Sequence, residues 1–251
     1  MPSLAEVIRA VCLQMPEAEE ASSHGSPEYR VRKKAFATFT VNHHGDGRLA
    51  LNLNADKQTQ VERVEADPKI FFVPAYVGAK GWYGIDLSRG LAWSAVAELV
   101  CEAYRRVAPA PLAAAAVPLE RVPTPDTVVL QKIDPFFFPK NQKLLERLRK
   151  LCLSLPEVGE ATAFGSPVFK AGKKTFCQFS CHGEAGCALV WVGPEGQAAF
   201  SADDRFDVPP YFGAHGWIRL RLDRRFDEAE VMALLLESYR HFALKRMLSA
   251  L

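Results

Sequence analysis

The groups best placed to do chemistry in this sequence are cations held in short turns. Gly25-Ser-Pro-Glu-Tyr-Arg-Val-Arg-Lys-Lys-Ala-Phe-Ala-Thr-Phe39 returns 140 residues later as Gly165-Ser-Pro-Val-Phe-Lys-Ala-Gly-Lys-Lys-Thr-Phe-Cys-Gln-Phe179, with seven of the fifteen positions identical. Arg30, Arg32, Lys33 and Lys34 crowd the first copy, and Lys170, Lys173 and Lys174 the second. Two or three cations at the tip of a hairpin suit contact with phosphates, the sheet beneath supplying rigidity. The plainer reading is that turn lysines are solvated and discourage edge-to-edge strand pairing.

A second block repeats as well. Pro74-Ala-Tyr-Val-Gly-Ala-Lys-Gly-Trp82 matches Pro209-Pro-Tyr-Phe-Gly-Ala-His-Gly-Trp217 at six of nine positions. A glycine-flanked Tyr and Trp pair reads as a structural corner where glycine lets backbones approach, although Tyr76, Trp82, Tyr211 and Trp217 also have faces on which bases stack. Lys80 and His215, mid-loop, are its ligand candidates. Beyond the second loop lie Arg219, Arg221, Arg224 and Arg225, with Arg219 and Arg221 on one strand face; Gly84 and Asp86 stand at the first-copy equivalents of those two. The basic surface is therefore expected to be larger in the second copy.

Catalytic signatures are missing. Ser26 and Ser166 match between copies, but no histidine does, and Ser-Pro before a strand is ordinary turn chemistry. No phosphate-cradling glycine loop, G-x-S-x-G or H-E-x-x-H occurs. No catalytic residues are expected, and a small-molecule enzyme would need a site unique to one copy or at their interface. Cys177, Cys181 and Cys187 with His182 lack zinc-knuckle spacing, and Ala37 and Val41 replace the first two in the other copy, so packing is expected and no metal or cofactor.

The elements that position these residues also repeat. Ser3 and Glu6 form a capping box ahead of a helix over 4–14 with Leu4, Val7, Ile8, Val11 and Cys12 on one stripe; Leu144, Leu145, Leu148, Leu151 and Cys152 repeat it. Strands are expected over 28–31, 35–41 and 48–53 and their counterparts, with a bulge to reconcile Phe36 and Phe39, which stand three apart. A polar-faced helix over 56–66 turns Val61 and Val64 inward; its counterpart near 194–201 is less defined because the repeat offset falls from 140 to 135. A strand from each tryptophan and a closing helix, 94–107 and 227–242, complete each copy. Strands bracketed by helices indicate an antiparallel α+β architecture. The boundaries are repeat 1 at 1–115, a Pro-rich linker at 116–142 and repeat 2 at 143–251. Within that linker, 127–130 is a candidate edge strand and Phe136 to Phe138 are expected to dock on a domain.

Composition agrees with an ordinary globular protein: 251 residues, 49% hydrophobic, 24% charged, net charge +2. That charge is too small to mark a nucleic-acid binder by bulk electrostatics. The start has no basic segment followed by an apolar core, and no apolar run reaches bilayer length, so no membrane association, a cytoplasmic location and free thiols are expected.

Both repeated blocks, followed by a closing helix bearing Ala103-Tyr-Arg105 or Ser238-Tyr-Arg240, resemble the MmcQ/YjbR-like family, and do so twice, over about 4–115 and 143–250. The resemblance implies two tandem frataxin-like (CyaY-like) domains, each a twisted antiparallel sheet with helices packed on one face. It also implies DNA binding through paired hairpin wings. Frataxin-type iron binding is not expected, because Glu6 and Glu146 on the first helices are balanced by Arg9, Arg147 and Arg149. The expected function is non-catalytic binding of duplex DNA with weak sequence preference, through Arg30, Arg32, Lys33, Lys34, Lys80, Lys170, Lys173, Lys174, His215, Arg219 and Arg221. The alternative is a scaffold that binds a protein partner.

Overall fold

The computed structural model describes residues 1–200 and 202–251, so Ser201, at the end of the ill-defined second-copy element, lies outside the described residues. It resolves into two compact units, Met1–Ile133 and Asp134–Leu251. The first contains α1 (Leu4–Leu13), β1 (Glu19–Ser23), β2 (Ser26–Val31), β3 (Lys34–Val41), β4 (Leu49–Leu53), α2 (Lys57–Ala66), β5 (Phe71–Phe72), β6 (Tyr83–Asp86) and α3 (Trp93–Val107), followed by short helices α4 (Ala110–Ala115) and α5 (Leu130–Ile133). The second contains α6 (Pro139–Leu153), β7 (Val158–Ala163), β8 (Ser166–Ala171), β9 (Lys174–His182), β10 (Ala185–Trp191), α7 (Gly193–Phe200), β11 (Phe206–Asp207), β12 (Trp217–Arg221), α8 (Glu228–Phe242) and α9 (Lys245–Leu248).

Each unit is α+β, built on a six-stranded antiparallel sheet. The orders are β1-β2-β3-β4-β6-β5 and β7-β8-β9-β10-β12-β11, the same path twice. Four strands per copy were expected. The missed edge strands β1 and β7 carry no buried side chain and so lack an apolar alternation; β5 and β11 have only two residues.

Local physics explains the frame. Ser3 and Glu6 form the expected capping box on α1, whose Leu4, Val7, Ile8, Val11 and Cys12 are buried. The bulge is real: Tyr29 pairs with Ala37 and Arg30 with Ala35, leaving Phe36 as the extra residue; Phe176 is the extra residue in the other copy. A bulge shifts the alternation by one, which turns both Phe36 and Phe39 to the core. Tyr104 on α3 meets Phe36 edge-on at 5.3 Å and donates its hydroxyl to Pro16 O at 2.6 Å; Tyr239 on α8 repeats both contacts, with Phe176 at 5.5 Å and Pro156 O at 2.7 Å. The closing helix is thereby tied to both the bulge and the end of the first helix.

Two expectations need correction. Val61 is 42% exposed and the inward residues of α2 are Gln60 and Val64, one helical turn apart, because the Asp56 cap on Thr59 fixes the helix phase. Residues 127–130 form no strand: Leu130 opens α5, and Val128, Leu130 and Ile133 pack against the first core, joined by Leu119 and Val122. The segment 116–142 is thus shared between the units, with Phe136 packed on the second core 6.4 Å from Phe179. No helix among the described residues is long and apolar enough to cross a membrane.

Candidate nucleic-acid interface

The β2–β3 connection is a two-residue turn: Val31 pairs with Lys34, and Arg32 and Lys33 between them have φ of 49° and 69°. Positive φ at both central positions is the primed geometry whose twist matches the flanking strands. In the second copy Ala171 pairs with Lys174, and Gly172 takes the positive φ of 63°. Buried Val31 and Ala171, with the bulged phenylalanines, anchor the stems and leave the tips outside. Lys33, Lys34, Lys173 and Lys174 are exposed and form no ion pair among the described residues; Lys170 is half-exposed and likewise unpaired. Arg32 bonds Glu17 at 2.7 Å, and Arg30 pairs with Glu28 on its own strand.

The second basic set is placed differently. Arg219 is only 13% exposed in its side chain and holds Asp207, its direct cross-strand partner, through two bonds of 3.0 and 2.6 Å. Arg221 pairs with Asp223, Arg224 with Asp204 and Arg225 with Asp227. Each guanidinium is charge-matched, so the sequence excess of cations here yields no free positive patch. The partner aspartates were visible in the sequence, but the Asp207 pairing depends on a two-residue strand that no periodicity reveals.

The Gly-x-x-Gly-Trp loop has the same hydrogen bonds twice. Val77 N donates to Ala75 O at 2.7 Å, Gly78 N to Pro74 O, Lys80 N to Val77 O and Gly81 N to Gly78 O; Phe212, Gly213, His215 and Gly216 repeat the set. The first of these closes a three-residue γ-turn centred on Tyr76, with φ of 62°, and on Tyr211, with φ of 68°. This turn is rare and strained, and a non-glycine residue at such a φ costs about 1–3 kcal/mol. Gly81 is required for space as well as conformation, since a Cβ there would come within 2.8 Å of Ala55 O. Trp82 is buried, and Trp217 is half-buried against Phe242 at 5.7 Å.

One residue that sequence reasoning missed holds the loop. Gln60 on α2, 1% exposed, donates from Nε2 to Gly78 O at 2.8 Å and to Trp82 O; Gln197 on α7 does the same to Gly213 O at 2.7 Å and Trp217 O at 2.8 Å. A third alignment offset, 137, would have exposed the match within the region where the offset is changing.

The structural-corner reading therefore holds for the tryptophans and fails for the tyrosines. Tyr76 is 71% exposed and Tyr211 75%. Beside Tyr76 lies an imidazole pair: Tyr76 Oη is 3.1 Å from His44 Nε2, and His43 and His44 are 4.0 Å apart. Lys80 and His215 are exposed in the same loops.

Strands β3 and β6 start at the same end of the first sheet, whereas the Tyr76 ring reaches His44 in the connection that follows the far end of β3. Leu53 closes β4, opposite Ala37 near the start of β3 and Tyr83 at the start of β6. Strand β3 is two spacings from β6, about 10 Å.

Two further hollows lie in the first unit. Ser26 lines a shallow cleft of about 340 Å³ with Arg9, Glu20 and Ser22, and no histidine lines it. A cavity of about 320 Å³ in the first unit is lined by Arg48, Lys69, Phe72, Asp86 and Arg89, without a nucleophile; Asp86 is tied to Arg89 and the Arg48 guanidinium lies 4.4 Å from the Phe72 ring. The Cys177 and Cys187 thiols are buried, and burial pushes Cys187 up to about 11 and Cys181 up to about 12.

Comparison with known proteins bears on these features as follows. The YjbR family model matches residues 13–106 and again 153–241. No curated protein matches the chain. Among solved structures, the crystal structure of Deinococcus radiodurans protein DR2400, which carries the family-model domain DUF419, is similar at 18% identity and a TM-score of 0.39, over 49% of this chain and 96% of that one. With two matches that together cover most of its length, and each enclosing one lysine hairpin and one γ-turn loop, the chain belongs to the YjbR family and contains its domain in tandem.

Proposed function

We propose that this protein binds DNA without catalysing a reaction on it, through phosphate contacts at the two lysine hairpins. The observation that carries this is the contrast in charge pairing. Arginines 219, 221, 224 and 225 are neutralised by aspartates, whereas Lys33, Lys34, Lys173 and Lys174 stand exposed and unpaired on stiff turns. An ammonium that has no carboxylate to release binds phosphate without first breaking a pair. Arg30, Arg32, Arg219 and Arg221 then act mainly by holding the strands, and Lys80 and His215 add to the contact surface. Nothing inserts a recognition helix, so binding is weak in sequence preference. Six unpaired thiols support a reducing compartment such as the cytoplasm.

Fluorescence anisotropy with a labelled duplex across 25–200 mM salt tests the proposal. Each phosphate neutralised contributes about −0.9 to the slope of log K against log salt. Replacing Lys33, Lys34, Lys173 and Lys174 by glutamate is expected to reduce that slope by up to about 4 and to lower low-salt affinity at least tenfold. An unchanged slope, or no binding by the wild-type chain at low salt, refutes the proposal and favours a protein-binding scaffold.

A further inference from the structure

We infer that Tyr76 and Tyr211 are stacking platforms for unpaired nucleobases, so that DNA with exposed bases is bound in preference to intact duplex; this rests on the DNA-binding reading above. The argument begins with strain. Both copies place a large aromatic side chain at the centre of a positive-φ γ-turn, where glycine would sit at no cost. A strained residue persists where its side chain is needed, and packing is not the need here, because both rings are largely exposed. The other large or constrained residues shared by the two loops have structural work: Pro74 and Pro209 are buried, Gly78 and Gly81 and their counterparts leave no space for a Cβ, and the tryptophans pack. Tyrosine alone among them faces out.

The setting identifies the ligand. Gln60 and Gln197 brace the loops from beneath, so each ring stands on a stiff support rather than a mobile tip. An exposed cation or imidazole, Lys80 or His215, follows each tyrosine within its loop. Aromatic face plus adjacent cation is the pairing that binds single strands, the base stacking and the phosphate taking the charge. The lysine turn opens β3, two strands from the strand β6 that the loop feeds, so charge and ring belong to the same sheet in each unit. A base within an intact duplex has both faces covered, so only an unpaired base reaches the ring.

The test compares three labelled DNAs with the full-length chain: a blunt duplex, the same duplex with a central gap of single-stranded thymines, and that gap made of abasic residues. The thymine gap is expected to bind at least about tenfold more tightly than either of the others, the low end for one or two stacked bases. Tyr76→Gly with Tyr211→Gly is expected to abolish that advantage while leaving the melting temperature unchanged or higher, since glycine relieves the turn; Tyr76→Phe with Tyr211→Phe is expected to retain it. Equal affinity for thymine and abasic gaps overturns this inference and leaves the hairpin reading standing. A melting temperature several degrees lower in the glycine variant also overturns it, by giving the tyrosines a structural role. Binding only to the thymine gap, with no duplex binding, overturns the hairpin reading alone, and no binding to any of the three overturns both.

Discussion

The glutamine braces offer the sharpest test of how the two loops are held. In Gln60→Leu the side-chain volume is nearly kept, so little of the effect comes from a cavity, but Trp82 O loses its side-chain donor and Gly78 O is left with Gly81 N. Gln60 is 1% exposed, so water does not readily replace it. A buried acceptor left without a partner costs about 1–3 kcal/mol, so with Gly78 O still accepting from Gly81 N the expected loss is about 2 kcal/mol, mostly from Trp82 O. Gln197 is half-buried, water reaches its partners, and Gln197→Leu is expected to cost only about 1–2 kcal/mol, the net value of two hydrogen bonds. Because a two-unit chain does not unfold in one step, hydrogen exchange resolved by peptide is the proper assay. The amides of Lys80 and Gly81 are bonded within the loop, and local opening is expected to expose them about 30-fold faster in Gln60→Leu, at 1.4 kcal/mol per decade. Exchange over 208–217 in Gln197→Leu is expected to accelerate less. Equal effects in the two loops, or acceleration under threefold in Gln60→Leu, would refute the assignment of these bonds as the braces.

Three further outcomes follow from the cores. Tyr104→Phe and Tyr239→Phe each remove one hydroxyl bond to a proline carbonyl and are expected to destabilise their own units by similar amounts, about 1 kcal/mol, in chemical denaturation; a difference above about 1 kcal/mol between them would show that the two struts are not equivalent. Burial raises the Cys12 and Cys152 thiols well above their ordinary range, so alkylation at pH 8 followed by mass spectrometry is expected to leave both unmodified until denaturant is added. Burial, followed by the neighbouring His44, lowers the His43 pKa below its unfolded value near 6.5. The sign is fixed by that depression: the unfolded chain takes the proton first, so the contribution is complete above about pH 6.5 and is lost as pH falls toward the folded value. Melting of the first unit is expected to weaken between pH 7.5 and 5, and His43→Gln is expected to flatten that slope; an identical slope in the variant would assign it elsewhere.

How far the sequence foretold this molecule depended on whether side chains or pairings carried the information. Helices α1 and α6 announced themselves through five apolar residues on one stripe, and the spacing of Phe36 and Phe39 foretold a bulge, because each is a pattern of burial. Strand β1, Glu-Glu-Ala-Ser-Ser, could not be seen: an edge strand facing solvent has no apolar period, and only its ladder with β2 defines it. The same limit governed the site. Lys33 and Lys34 were legible because a turn exposes whatever it carries, whereas Arg219 looked equally free until β11 placed Asp207 directly opposite. Tyr76 was misjudged for a different reason. The glycines and tryptophan that follow it suggested a packed corner, and nothing in the residue order tells that the chain makes a γ-turn that throws the ring outward.

The tandem arrangement separates frame from surface within one chain. Where the copies agree and the residue is buried, agreement follows from packing: Phe36 with Phe176, Tyr104 with Tyr239, Gln60 with Gln197 as a half-buried variant. Where they disagree, ion pairs have been rebuilt independently, as when Phe72, Gly84 and Asp86 give way to Asp207, Arg219 and Arg221 at the same places in the sheet. Packing explains the first group, and mutual charge neutralisation tolerates the second. Neither accounts for agreement at exposed positions with large side chains, and only three such pairs stand in the two repeated blocks: Lys33 with Lys173, Lys34 with Lys174, and Tyr76 with Tyr211. Two bear positive charge on two-residue turns and the third an aromatic face on a strained one. That combination matches the two parts of a nucleotide, its phosphate and its base.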